Sequence, residues 1–308
     1  MNNHAIIVGI KEYALTNDER DYLKKYKPVG VILFSRNIFE KLQVKYLVDD
    51  IKNIIGSNVL IMIDQEGGKV SRLTEKFWPK FPPANYFGNI AKKNLELAKK
   101  ETFKNYYLIG KELNKLGINV NCAPVLDLLV KNSSKIIGSR SFSRNAKIVS
   151  ALGLEACNGL EKASIYPVIK HIPGHGRAKE DSHKILPVVS LKYYQLKDDF
   201  LPFKNLKNVY SAMTAHIKYE KLDSKNCVTH SKYIINNIIR KDIGFKGILF
   251  SDDLCMKALK GSYYSRAKKA ISAGCNVVLH CDYSLKHIVS STLGAGKISK
   301  VLKKKLFR

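Results

Sequence analysis

Asp181 and His183 stand two residues apart in the segment Asp181-Ser182-His183. At that spacing a carboxylate can hydrogen-bond the imidazole, fix its tautomer and raise its basicity, as an orienting Asp does in a catalytic triad. A histidine so held can serve as general acid and base near neutral pH. Taken alone, an Asp-x-His triplet in a loop is a weak signal. Asp252 and Asp253 adjoin at the end of an apolar run. Neighbouring residues of a strand point to opposite faces, so one of the two is expected to aim at a common site, and the sequence leaves open which. A carboxylate with an acid/base group nearby is the equipment of a retaining glycosidase.

Other groups could complete such a site. Asp64 closes an apolar run and precedes Gly67-Gly68, which let the backbone approach a ligand closely. Its carboxylate can accept hydrogen bonds from sugar hydroxyls; it reads equally as a turn or helix-capping residue. Arg72, eight residues on, can reach the same place, although in isolation it reads as a surface residue. Lys170 and His171 come just before the loop Ile172-Pro173-Gly174-His175-Gly176. Burying a Lys-His pair is costly unless it faces polar groups, which favours a ligand-facing role.

These groups need a scaffold, and the chain supplies a series of short apolar runs rich in Val and Ile. They are Ala5–Ile10, Val29–Phe34, Val59–Ile63, Ile118–Ala123, Ile165–Ile169, Val209–Met213, Gly247–Phe250 and Asn276–His280. Near-continuous hydrophobicity, rather than alternation, marks strands buried on both faces. Helix-like segments lie between them. Leu95–Leu116 carries an apolar stripe of Leu97, Leu108, Leu113 and Leu116 before Gly117, while Ile148–Leu160 and Ala267–Ala273 behave similarly. Eight strands alternating with helices predict a parallel sheet of the α/β class. No GxGxxG follows the first run, so closure into a (β/α)8 TIM-type barrel is expected, as a single domain over residues 1–308.

In such a barrel functional residues gather at the C-terminal ends of the strands. Polar groups follow the second to seventh runs here: Ser35-Arg36-Asn37, Asp64-Gln65-Glu66, Asp127 with Asn121, Lys170-His171, Ala215-His216 and Ser251-Asp252-Asp253. Six clusters converging on one rim exceed what turns explain. Little chain follows the eighth run, so the last helix is expected to be short or frayed, ending in a basic tail over about 297–308.

The net charge is +27, from 53 Lys and Arg against 26 Asp and Glu. That balance admits nucleic acid or an anionic polymer as a partner. The lysines, however, are spread along the chain and densest at Lys300–Lys305, with no zinc finger and no basic strand bearing aromatics. A coding bias toward Lys, Asn and Ile gives the same composition, so no nucleic-acid partner is expected. No run approaches the roughly 18 apolar residues of a membrane span, and Met1-Asn2-Asn3-His4 lacks the basic region of a signal peptide. The expectation is a cytoplasmic monomer with no membrane partner. Six cysteines without a Cys-x-x-Cys pair read as reduced, small core residues rather than a zinc site or disulfides.

Seven segments together resemble glycoside hydrolase family 3, in its bacterial β-N-acetylhexosaminidase branch of peptidoglycan recycling. They are Ile63-Asp64-Gln65-Glu66-Gly67-Gly68, Ala123-Pro124-Val125-Leu126-Asp127, Gly138-Ser139-Arg140-Ser141-Phe142, Lys170 through Gly176, Asp181-Ser182-His183, Ala215-His216, and Phe250 through Met256. The block Lys170-His171-Ile172-Pro173-Gly174-His175-Gly176 with the following Asp-Ser-His is the most specific of them. Lys69 and Ile172 depart from the Arg and Phe usual there, and His280-Cys281 is atypical. The resemblance implies that Asp252 is the nucleophile and His183 the acid/base, supported by Asp181. It implies sugar binding by Asp64, Arg72, Arg140, Lys170 and His171. It also implies no metal or organic cofactor and, as substrate, small carbohydrates such as N-acetylglucosaminyl-1,6-anhydro-N-acetylmuramic acid and its peptide forms. A phosphorylase on the same site, a β-glucosidase and a non-catalytic binder of glycans or anionic polymers are the competing readings.

Overall fold

Segments such as Ile6-Ile7-Val8 offer water no polar face, so the sheet they build must be covered on both sides. In the computed structural model, which describes residues 3–73, 76–130 and 136–306, the apolar runs form one closed parallel barrel. Its strands are β1 (His4–Gly9), β2 (Pro28–Leu33), β3 (Leu60–Ile63), β4 (Val120–Asn121), β5 (Tyr166–Ile172), β6 (Ser211–Thr214), β7 (Ile248–Asp253) and β8 (Val277–His280). β8 returns to β1 through the pairs Ile6–Val278 and Ile7–Leu279, so the sheet has no open edge. All eight expected runs are strands, with shifted ends. The fourth contracts to two residues, and the fifth runs on through Lys170 and His171.

The outer layer consists of α1 (Asn17–Tyr26), α2 (Lys41–Ile55), α3 (Ala84–Ala91), α4 (Leu95–Lys115), α5 (Ala146–Lys162), α6 (Lys197–Asn205), α7 (Tyr263–Ala273) and α8 (Leu285–Ala295). A π-helical segment, Ile234–Asp242, occupies the place between β6 and β7. The architecture is therefore (β/α)8. Two short parallel strands, Val188–Val189 and Lys218–Tyr219, tie the loop after β5 to the loop after β6.

Three expectations need correction. Only half of the expected stripe on α4 is buried: Leu113 and Leu116 are, but Leu97 and Leu108 are each 46% exposed. Ala98, Thr102, Asn105, Ile109 and Leu113 advance by three and four residues, share one face and are buried. The chain end is not frayed: α8 has 11 residues, Ile298 N–H donates to the Asn3 carbonyl, and α9 (Lys300–Leu306) buries Leu306. The last two residues of the expected tail lie outside the described residues. Of the six free cysteines four are buried, but Cys255 and Cys281 are only half-buried because they follow β7 and β8 at the polar rim. Among the described residues no helix is long and apolar enough to cross a membrane.

One close approach sets the frame of the rim. A Cβ on Gly88 of α3 would lie 1.6 Å from the Phe142 carbonyl oxygen, two residues beyond Arg140. Gly88→Ala is expected to cost at least about 1–3 kcal/mol by overpacking. It should lower the urea midpoint and, by displacing Arg140, the turnover rate. An unchanged midpoint would show that α3 does not rest on this turn.

Candidate active site

Asp64 and Glu66 follow β3, and the residue between them is clamped. Gln65 N–H donates to Asn121 Oδ1 at 3.0 Å, and Asn121 Nδ2 donates to the Gln65 carbonyl at 2.9 Å. Gln65 Oε1 in turn accepts the Arg72 and Leu73 N–H groups at 2.8 and 3.1 Å. The chain folds back at Gly67 and Gly68, whose φ values of 95° and 60° favour glycine. Side chains are also excluded there, since a Cβ on Gly67 would meet the Pro82 carbonyl oxygen at 2.4 Å.

The two carboxylates thereby converge on the cations of β5 and of the loop after β4. Lys170 Nζ, almost fully buried, donates to Asp64 Oδ1 at 2.8 Å and lies 2.7 Å from Glu66 Oε1. Arg140 grips Glu66 through both oxygens, Nε to Oε2 at 2.8 Å and Nη2 to Oε1 at 2.7 Å. Arg72 reaches Asp64 Oδ2 at 3.5 Å and lies over the Phe34 ring. Burial would raise the Glu66 carboxyl, but Lys170 and Arg140 outweigh it and bring it down to about 2. Burial likewise opposes charge on Lys170, and Asp64 and Glu66 outweigh it, so its pKa rises. Glu66 and Lys170 are therefore both charged at neutral pH.

His171 is oriented by a second buried carboxylate. Its Nδ1–H donates to Asp127 Oδ2 at 2.6 Å, and Asp127 Oδ1 accepts the backbone N–H groups of His171 and His175 at 3.3 and 2.6 Å. Nε2 of His171 is left for the pocket. Burial would raise the Asp127 carboxyl; His171 and His175 hold it below the usual carboxylate range. The His175 ring has no hydrogen-bond partner among the described residues, and burial together with His171 brings its pKa down to about 4.

β7 delivers both Asp252 and Asp253 to the pocket wall. Their tasks differ. Asp253 Oδ1 accepts the N–H groups of Cys255 at 2.9 Å and Cys281 at 3.0 Å, which pins the loops after β7 and β8. Asp252 accepts only the Asp253 N–H, at 2.8 Å, among the described residues. Burial would raise both carboxyls. For Asp252 the electropositive surroundings of His216, His171 and Lys170 win and its pKa falls, whereas for Asp253 burial wins and its pKa rises. His216 is itself fixed, donating from Nε2 to the Asp253 carbonyl at 2.9 Å while Nδ1 meets the Thr229 hydroxyl at 2.7 Å.

His183 completes the wall from the loop after β5. Asp181 does not bond its ring here. Asp181 Oδ1 accepts the His183 backbone N–H at 2.8 Å, so the short spacing closes a local turn rather than orienting the imidazole. The exposed ring stays without a hydrogen bond among the described residues, while Lys257 N–H bonds the His183 carbonyl at 3.4 Å.

Asp64, Arg72, Arg140, Lys170, His171, His183 and Asp252 thus border one pocket, and Asp181 stands behind it. The space measures about 180 Å³, room for roughly a dozen waters and so for a single amino sugar. Ile32, Met213 and Leu279 form apolar parts of its wall, and the packed barrel beneath makes it a dead end. Glu66, Asp127, His216 and His175 were not singled out as site residues from the sequence. Each sits inside a recognised segment, but its partner lies 37 to 104 positions away or, for His175, is missing.

The sequence model of the glycosyl hydrolase family 3 N-terminal domain matches residues 6–305. The chain belongs to that family. β-Hexosaminidase from Nitrosomonas eutropha is 35% identical over 282 residues, covering 90% of this chain and 80% of its own. The β-hexosaminidase of Neisseria meningitidis serogroup A is 36% identical over 283 residues, with 90% and 78% covered. Among solved structures, NagZ from Neisseria gonorrhoeae in complex with N-trifluoroacetyl-D-glucosamine matches with a TM-score of 0.86 at 28% identity, covering 99% of this chain and 96% of that one. A family 3 β-N-acetylglucosaminidase from Paenibacillus reaches 0.88 at 30% identity; the match covers 98% of this chain but 59% of that one. This family 3 chain is a glycoside hydrolase, similar over nearly its whole length to proteins named β-hexosaminidase.

The Glu66 cluster predicts an acid limb of stability. Its folded pKa of about 2 lies below the ordinary 4.5, so its contribution is complete above about pH 4.5 and is lost as pH falls toward 2. The difference corresponds to roughly 3 kcal/mol. Urea midpoints followed from neutral pH downward should fall steeply for wild type in that window. Glu66→Gln should start lower at neutral pH and fall less; parallel acid limbs would contradict the pairing.

Proposed function

We propose that the protein is a retaining exo-β-N-acetylglucosaminidase that removes terminal β-linked N-acetylglucosamine from peptidoglycan-derived muropeptides in the cytoplasm. The carrying observation is Asp252, kept anionic in a one-sugar, dead-end pocket that His183 also borders. The dead end favours a chain terminus over an internal bond. The ring of Asp64, Arg72, Arg140, Lys170 and Glu66 offers both donors and acceptors to sugar hydroxyls, and His171 Nε2 offers one more polar atom for hydroxyl or N-acetyl oxygens. The names of the relatives support an N-acetylhexosamine as the sugar.

In this reading Asp252 attacks C1 as the glycosidic C–O bond breaks, and the leaving oxygen takes a proton from protonated His183. His183 becomes neutral, so no second negative charge develops beside Asp252. Water then enters, gives its proton to His183 and attacks C1, which returns Asp252 to the carboxylate with the β configuration retained. Asp64, Arg72, Arg140, Lys170 and His171 hold the sugar, and Asp181 holds the backbone turn that presents His183. Every bond is accounted for without a metal or organic cofactor.

Hydrolysis of aryl β-N-acetylglucosaminides tests the assignment. Asp252→Ala is expected to lower kcat by at least about 10³-fold on every substrate. His183→Ala should lose about 10²–10⁴-fold on natural disaccharides, whose leaving group needs a proton, and far less on nitrophenyl glycosides. Equal losses on both would remove His183 from the proton-transfer role. Product release that depends on added phosphate would identify a phosphorylase instead.

A further inference from the structure

The charge of +27 is not spread evenly over the fold. One end of the barrel is made by the last turn of each outer helix and the loop into the next strand, together with the chain after α8. That end comprises residues 23–27, 51–59, 112–119, 158–165, 202–210, 238–247, 270–276 and 292–306. It carries 16 Lys and Arg but only 3 acidic residues, Glu112, Glu161 and Asp242, against 37 and 23 in the rest of the chain. Sequence order hides this, because the lysines come from seven separate segments, one to five from each. The fold collects them opposite the active-site mouth.

Few of these cations are neutralised. Lys115 pairs with Glu112 at 2.6 Å and Lys204 with Asp242 at 3.5 Å. Lys24, Lys25, Lys207, Lys241, Lys300 and Lys303 are exposed, and none of them has an ion pair among the described residues. α9 lies within this face: the Tyr210 hydroxyl donates to the Leu306 carbonyl at 2.7 Å, and Lys305 Nζ donates to the Lys246 carbonyl. Leu306 anchors α9 inward, while Val301 stands 79% exposed among Lys300, Lys303 and Lys304.

We propose that this face docks on an anionic phospholipid bilayer. The cations are distributed around a ring of turns rather than along a channel, which suits a planar array of phosphates. Basic residues flanking an exposed apolar side chain on a short surface helix are the composition of an interfacial contact. Single-stranded nucleic acid is disfavoured because its binders stack bases on aromatics. The exposed aromatics, such as Tyr13, Phe39, Tyr194 and Tyr283, belong to other parts of the molecule. Docked this way, the enzyme presents its pocket away from the bilayer and open to substrate. The proposal departs from the expectation, drawn from composition, of no membrane partner.

Sedimentation of the full chain with vesicles tests it. The protein is expected to bind phosphatidylcholine vesicles containing about one third phosphatidylglycerol at low salt, and to leave pure phosphatidylcholine in solution. Binding should weaken at least about tenfold between 50 and 500 mM NaCl as the Debye length shortens. Lys300→Glu/Lys303→Glu/Lys304→Glu and, separately, Lys24→Glu/Lys25→Glu should each weaken binding about tenfold or more, with aryl glycoside turnover unchanged as the check on folding. Lys218→Glu/Lys221→Glu, a control on the mouth side, should bind within about twofold of wild type. Absence of binding to anionic vesicles, equal loss in the control, or tighter binding to duplex DNA than to vesicles would each overturn the proposal.

Discussion

Lys170 and Glu66 are both withdrawn from water at the C-terminal end of the barrel, and neither would be tolerated there alone. Removing one partner of such a pair strands the other, at a cost of about 3–5 kcal/mol. The pair is therefore held on every side: Asp64 shares the ammonium, Arg140 binds both Glu66 oxygens, and Arg72 reaches back to Asp64. This cluster draws β3, β5 and the loop after β4 into one geometry. A hydrophobic substitute would pack as well, but it would leave no polar wall for a sugar.

The same logic governs the opposite wall at lower charge density. Asp127 fixes His171, and His216 fixes the backbone at Asp253. Asp253 engages two backbone N–H groups, so of the two carboxylates at the pocket wall Asp252 is the one with fewer hydrogen bonds among the described residues. Adjacent identical residues thus divide into a structural and an available acid. Electropositive surroundings keep Asp252 ionised despite burial, the condition a nucleophile requires.

The eight strands were legible because apolar runs buried on both faces have no polar interruptions to confuse them. Alternation with helices pointed to a parallel sheet, and the lack of GxGxxG after the first run to its closure into a barrel. The buried face of α4 was not legible from its leucines, since Leu97 and Leu108 face solvent while Ala98, Thr102 and Asn105 pack inward. At the site, short-range spacing pointed to residues most of which the fold brings to one pocket, but not to their contacts. Asp181 bonds the His183 backbone, not its ring. Glu66 stood in a recognised segment without a visible role, because Lys170 and Arg140 lie 104 and 74 positions downstream. Contacts of that range come from strand order around the barrel, which composition does not encode. The family resemblance supplied what the residues could not, the choice of Asp252 over Asp253.

That choice is the centre of the account, and covalent trapping addresses it directly. The protein would be incubated with a slow fluorinated glycosyl donor that forms but does not break the glycosyl-enzyme, then digested and sequenced by mass spectrometry. The account predicts one equivalent of sugar on the peptide containing Phe250-Ser251-Asp252-Asp253, with fragment ions placing it on Asp252. A label on Asp253 or elsewhere, or turnover of the donor with no adduct, would contradict it.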